Sequence, residues 1–303
     1  MFKSLFCTHL KRKPMKRFFK WMGILIGVLV LVCIIFYAIA YFSVESRISK
    51  QYNVNVQSIH IPTDSLSYEK GKIIATNRGC LGCHGANLGG FEEFLPEGSP
   101  MGTLFATNIT SGEGGIHYTD KDWLRVLRHG VNKEGKSVWF MPSQEFSHIS
   151  NQEMGELICF LKKQPPVNHK VPERKIGPLG RVFVFLGKFP LLTAEEINHN
   201  AVYLDVIKPS ITPEYGAYLA TTCQGCHSKT YKGSAPLKPG GPPIPNISST
   251  GELGSWNEQD FINVMLTGKK PDGKQLSEAM PYKYFKFSND ELKAIYAYLS
   301  QVK

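Results

Sequence analysis

No acidic side chain occurs in the first 44 residues, which carry seven Lys or Arg. The remaining chain holds 28 basic and 25 acidic residues, so the net charge of +10 belongs mostly to the N-terminal tail. A charge confined to a tail excludes a nucleic-acid-binding face on the folded part. Strand-like alternation of apolar and polar residues is scarce, which argues against a β architecture. A disulfide framework is also missing. Of seven cysteines, four form two Cys-x-x-Cys pairs; Cys7, Cys33 and Cys159 fall in the basic tail, an apolar run and an apolar helix face. Cys33 and Cys159 read as buried free thiols. No general base, paired carboxylate or activated nucleophile stands beside either pair. With 303 residues, 42% of them apolar, the chain has room for two domains plus extras.

The two pairs are parts of longer strings, Cys80-Leu81-Gly82-Cys83-His84 and Cys223-Gln224-Gly225-Cys226-His227. Cys-x-x-Cys-His is the attachment signature of c-type haem. Two thiols add across the haem vinyl groups, and the adjacent histidine becomes the proximal iron ligand. Cys80, Cys83, His84, Cys223, Cys226 and His227 are therefore expected to bind two covalent haems c. A zinc site from two Cys-x-x-Cys pairs is the alternative, but zinc does not require the following histidine.

From Trp21 to Phe42 the chain is free of charge. As a helix these residues span about 33 Å, enough for the hydrocarbon core. Residues 1–20 then form a basic cytoplasmic tail, 21–42 a transmembrane anchor in contact with lipid, and everything after 42 lies outside. Mature c-type haem attachment takes place on that outer face in bacteria. A single-pass protein of the bacterial inner membrane, its haem domains on the periplasmic face, satisfies both constraints. Ala38-Ile39-Ala40 would serve as a signal cleavage site, but the apolar run is longer than a usual signal core, which favours a retained anchor. Gly23 and Gly27 form a Gly-x-x-x-Gly pair able to bring two such helices together. Residues 43–66 read as a linker, with His60 at the surface.

An internal repeat sets the architecture. Asn108-Ile109 matches Asn246-Ile247, Asp122-Trp123 matches Asp260-Phe261, Gly130 matches Gly268, and Met141-Pro142 matches Met280-Pro281. The offset is 138 or 139 residues there and 143 at the haem motifs, so the first copy has five extra residues after its motif. The resulting domains are 67–164 and 213–303, with a connector at 165–212. Each copy reads as a helix before the motif, a Gly/Pro/Asn-rich loop, a helix at 120–129 or 258–267, a loop with the Met-Pro pair, and a last helix. Ser150 with Glu153 and Ser288 with Glu291 predict capping boxes for the last helices. Leu157, Phe160 and Leu161 recur as Ile295, Tyr298 and Leu299 on their apolar faces. The apolar connector stretch 181–192 is expected to bridge the two domains; a partner-subunit or lipid surface is the alternative.

The sixth iron ligand separates a carrier from a catalyst. Met141 and Met280 hold equivalent places, each followed by a proline that fixes the local backbone. Their recurrence beside haem motifs marks them as distal ligands, giving His84/Met141 and His227/Met280 irons. Met101, His117, His148, Met154 and Met265 are rivals without a counterpart in the other copy.

The combination Cys80-x-x-Cys83-His84, Asn87-Leu88-x-Gly90, Asn108-Ile109-Thr110, Thr119-Asp120-x-Asp122-Trp123, Gly130-Val131, Gly135-Lys136 and Met141-Pro142 resembles a domain of the class I cytochromes c. Gly240-Gly241-x-Pro243-x-Pro245-Asn246 through Met280-Pro281 resembles a second. In particular the chain resembles the cytochrome c subunits of membrane-bound bacterial alcohol, aldehyde and gluconate dehydrogenases. It departs from them in having two haem motifs where they typically have three, and an N-terminal anchor in place of a C-terminal one. The resemblance implies a mainly α fold of tandem class I cytochrome c domains behind a transmembrane helix. It further implies electron transfer between a dehydrogenase or quinol donor and a terminal acceptor of a respiratory chain. Redox partner proteins would be a dehydrogenase subunit, another cytochrome or an oxidase. A diheme redox enzyme of the peroxidase or thiosulfate-oxidising type, with one open or non-Met iron, is the alternative. A subunit whose haems serve mainly to assemble a complex is a third reading.

Overall fold

The computed structural model describes residues 13–236 and 241–303. Cys7, the start of the basic tail and Gly240 lie outside the described residues. The first helix, α1, runs Lys13–Ser49, well past the last apolar residue of the uncharged stretch. It is long and apolar enough to cross a membrane, and its most apolar stretch is not buried. Further along, Ala40 and Val44 are fully buried. From Lys50 to Asp64 the chain has no helix or strand. Val56, Ile59 and Ile61 from this strap pack on the core of the first helical unit.

That unit contains α2 (Ser65–Asn77), the single-turn α3 (Cys80–His84), strands β1 (Glu93–Leu95) and β2 (Gly102–Phe105), α4 (Asp120–His129) and α5 (Asn151–Lys162). The connector adds β3 (Lys175–Ile176) and α6 (Pro178–Phe185). The second unit contains α7 (Pro213–Ala220), α8 (Gln224–His227), α9 (Glu258–Thr267) and α10 (Asn289–Leu299). The molecule is mainly helical, and among the described residues one sheet forms, with the antiparallel order β1-β2-β3. Its first two strands occupy the longer loop of the first copy and the third comes from the connector. Its strands are too short for alternation to reveal them.

Each unit has its own core. In the first, Trp123, Leu127, Met154, Leu157, Ile158 and Phe160 are buried together. In the second, Leu219, Phe261, Leu292, Ile295 and Leu299 fill the same role. The amphipathic last helices thus bury the faces their spacing marks out. In both units the first helix crosses the last at backbone contact. A Cβ on Gly71 would lie 2.0 Å from the Glu156 carbonyl oxygen, and one on Gly216 would lie 1.8 Å from that of Ala294. Only glycine permits an approach this close.

Caps set the helix starts. Thr119 with Asp122 and Asn257 with Asp260 form complete capping boxes on α4 and α9, as Ser288 with Glu291 does on α10. The box expected at α5 is only half made. Ser150 Oγ accepts from Glu153 N, but the Glu153 carboxylate accepts instead from the Tyr218 hydroxyl of the second unit.

The connector stretch 181–192 does not bridge the two units. Val184, Leu191 and Leu192 form a third core with Val44 of α1 and Leu104 of β2. The stretch is therefore a wedge between α1 and the sheet. Arg47 reinforces this with two hydrogen bonds to the Glu195 carboxylate, at 3.0 and 2.5 Å.

Candidate haem sites

Each Cys-x-x-Cys-His string forms one helical turn, which places its cysteines and histidine on one face. Gly79 starts the first turn at φ +76°, and Gly82 N donates to its carbonyl at 3.1 Å. In the second copy a 3-10 turn at Thr221–Cys223 leads into α8 and does the same work. The loops that follow superimpose in their bonding. Gly90 N donates to His84 O and Gly233 N to His227 O, at 2.8 and 3.0 Å. Leu88 and Tyr231 both adopt φ +59° at the equivalent place.

The histidines are oriented by backbone carbonyls. His84 Nδ1 lies 2.7 Å from Thr107 O, and His227 Nδ1 lies 2.9 Å from Pro245 O. A carbonyl only accepts, so Nδ1 carries the proton and Nε2 keeps the lone pair that a metal needs. Burial lowers both histidine pKa values, which favours the neutral ring. The residue after each carbonyl makes the same local turn in both copies. Asn108 Oδ1 accepts from Thr110 N at 3.0 Å, and Asn246 Oδ1 accepts from Ser248 N at 2.9 Å. The recurrence of Asn-Ile was visible in the sequence; the preceding carbonyl's role was not, because Thr107 and Pro245 share no side-chain chemistry.

A mostly apolar cavity opens in the first unit. Cys80, Cys83, His84 and Met141 all line it, with Trp139 and Phe140 among the apolar side chains. The residue set fits a covalently attached macrocycle: two thiols on one turn, a histidine with Nε2 unengaged, and a thioether lining the same apolar cavity. Burial pushes the Cys80 and Cys223 thiols up to about 12.

Met280 is half-buried in the equivalent loop of the second unit. The two methionine loops share one backbone pattern. Ser143 N donates to Met141 O and Tyr282 N to Met280 O, at 2.8 and 2.9 Å. Glu145 N donates to Pro142 O and Tyr284 N to Pro281 O, at 2.9 and 3.0 Å. Of the rivals, Met154 is buried in the first core and Met265 packs on the second. His117 is exposed, and His148 Nε2 lies 3.2 Å from Thr221 Oγ1.

The units meet at their motif ends. Arg78, two residues before Cys80, donates to Thr221 Oγ1 at 2.6 Å and Thr222 Oγ1 at 3.1 Å, just before Cys223. Thr222 Oγ1 donates to Asn77 O, and Lys286 N donates to Asn77 Oδ1 at 2.7 Å. The Glu145 carboxylate lies against Gly225, inside the second motif; a Cβ there would meet its Oε1 at 2.5 Å. Burial raises Glu145 to about 7, opposed by the positive Arg78. Neither residue was singled out from the sequence, where each is one charged side chain without a counterpart in the other copy.

The sequence model of the cytochrome c family matches residues 214–303. The second unit is a cytochrome c domain. Domains of this family hold haem c and pass electrons, which accords with the carbonyl-oriented histidine beside its paired cysteines. The chain is 28% identical over 273 residues to the cytochrome c subunit of a quinone-dependent alcohol dehydrogenase from Gluconobacter oxydans, covering 79% of this chain and 55% of that protein. It is 25% identical over 262 residues to the fructose dehydrogenase cytochrome subunit of Gluconobacter japonicus, covering 78% and 52%. A shorter match, 31% over 96 residues, is to the gluconate 2-dehydrogenase cytochrome c subunit of Pantoea cypripedii, covering 30% of this chain and 22% of that one. The chain spans about half the length of the first two relatives. Most of the chain is thus similar to cytochrome c subunits of dehydrogenases.

Proposed function

We propose that this chain is a membrane-anchored diheme electron carrier, working on the periplasmic side between a dehydrogenase or quinol donor and a further acceptor. The observation that carries the reading is the duplicated site: two histidines oriented through Nδ1 by equivalent carbonyls, each beside two cysteines, with methionine loops of one backbone pattern. Bound haem c supplies a one-electron couple at each place. Cys80, Cys83 and His84, with Met141, would hold the first; Cys223, Cys226 and His227, with Met280, the second.

The chain's own residues prepare such a site in three ways. The Thr107 and Pro245 carbonyls fix histidine tautomer and direction, so little rearranges between oxidation states. The apolar wall of Trp139, Phe140 and Met141 limits water, and thioether ligation favours the reduced form. Arg78 ties the two motif ends through Thr221 and Thr222, which shortens the path between the sites. The relatives' names supply the partner class, a dehydrogenase, and α1 is the candidate anchor.

The test is a carbon monoxide difference spectrum of the dithionite-reduced protein, with haem counted per chain. Two haems and no CO binding are expected. CO binding at one haem would overturn the His/Met assignment there and favour the alternative, a diheme redox enzyme with an open iron.

A further inference from the structure

The wedge between α1 and the sheet carries more apolar surface than its core needs. Leu179, Phe183 and Leu186 are 42, 38 and 52% exposed. On α1, Phe36, Ile39 and Phe42 are exposed as well. The two sets join, because the Phe36 and Phe185 rings meet edge to face at 5.8 Å. Phe36 precedes Phe42, the last residue of the uncharged run, by six positions. At the helical rise this is about 9 Å along the axis. If the uncharged run spans the hydrocarbon, the end of α6 lies at a depth where interfacial helices bury their apolar faces, about 5–10 Å into the headgroup and acyl boundary.

The polar side chains agree with that depth. Arg181 lies over the Tyr41 ring, 4.4 Å from its centroid, and bonds Glu45 Oε2 at 2.8 Å. Its charge is thereby turned along α1 away from the apolar run, as a cation at a lipid boundary is expected to be. Tyr41 is itself an aromatic of the interfacial type. Lys188, just beyond α6, is exposed and free to reach headgroup phosphate.

We infer that α6 and the turn after it, residues 178–188, lie in the outer lipid interface as a second membrane contact. The inference rests on reading α1 as a membrane anchor. Its occupant is lipid, because the exposed face continues the surface of the spanning helix itself. The contact fixes more than the anchor alone. Phe189 meets Phe140, and Phe140 meets Phe94, at 5.5 and 5.1 Å, and the last two line the first cavity. The wall of the first candidate haem site is thus held beside the bilayer surface. A donor dissolved in the membrane would approach the first site before the second.

The full chain, reconstituted in phosphatidylcholine nanodiscs with a lipid that carries a photoactivatable diazirine near the glycerol, tests this directly. After illumination and tryptic digestion, adducts are mapped by mass spectrometry. Lipid adducts on both 21–47 and 182–188 are the expected result. Adducts on 21–47 with none on 182–188 would overturn the inference and leave the anchor standing, with a partner subunit as what covers α6. Adducts on neither peptide would remove the anchor reading and the inference with it. In the variant Phe183→Asp/Leu186→Asp, both at exposed positions, the 182–188 peptide is expected to lose most of its label while 21–47 keeps its own. Unchanged labelling of 182–188 would show nonspecific insertion and also overturn the inference.

Discussion

Replacing Glu145 with glutamine should change how stability depends on pH. The carboxyl sits where the two units meet, against Gly225 and near Arg78. Burial moves its pKa from an ordinary 4.5 to about 7, against the pull of the arginine. The folded chain therefore binds this proton more tightly than the unfolded chain does. The stability it contributes is fully present below pH 4.5 and is lost as pH rises through 7. A shift of this size corresponds to about 3 kcal/mol at 1.36 kcal/mol per unit. The glutamine side chain would keep the shape and hydrogen-bonding reach without the titration. Urea unfolding of both proteins, measured from about pH 4.5 to pH 8, should give similar stabilities at the acid end. Towards pH 8 the variant should become the more stable by up to about 3 kcal/mol. Comparing the two proteins cancels Glu153, which burial also raises to about 7, and any change in haem ligation on unfolding. Parallel curves would refute the buried-carboxyl account. A wild type that gains on the variant as pH rises would show that the attraction of the Arg78 charge outweighs desolvation.

Other predictions concern the crossings, the ligands and the seam. Gly216→Ala should destabilise the second unit by about 2 kcal/mol or more, since the added carbon meets the Ala294 carbonyl and the helices must separate; calorimetry reads this. Met141→Ala should create CO binding at one haem and Met280→Ala at the other, with haem content unchanged. Loss of haem in place of CO binding would mean the loops build the sites without ligating. Arg78→Ala removes the donor to Thr221 and Thr222 and should cost about 2 kcal/mol, splitting one unfolding transition into two.

What could be read from the sequence was what repeats. The two Cys-x-x-Cys-His strings, the helices at 120–129 and 258–267, and the apolar faces of α5 and α10 stood out because their chemistry recurs at fixed offsets. The sheet did not, since its strands are two to four residues long and β3 comes from the connector. The half-made capping box at α5 is instructive. Ser-x-x-Glu fits the local rule, yet a tyrosine from the other unit takes the carboxylate. Seam residues such as Arg78 and Glu145 escape for the same reason: they mark where the copies differ. Gly71 and Gly216 were within reach, each a few residues before its motif. The second copy, however, shortens that spacing by two and hides the match.

The way the first site is closed bears on how such a protein matures. Its methionine loop is pinned from the connector: Phe140 N donates to Leu191 O at 2.8 Å, and Thr193 Oγ1 donates to Met141 O at 2.6 Å. On the proposed reading, in which export runs from an N-terminal anchor onward, Cys80 would emerge long before Thr193. The first motif would then stand in a pocket that lacks these two bonds until the connector arrives. The connector would act as a latch, and order of emergence alone would give the first site a loading interval before its methionine loop is pinned.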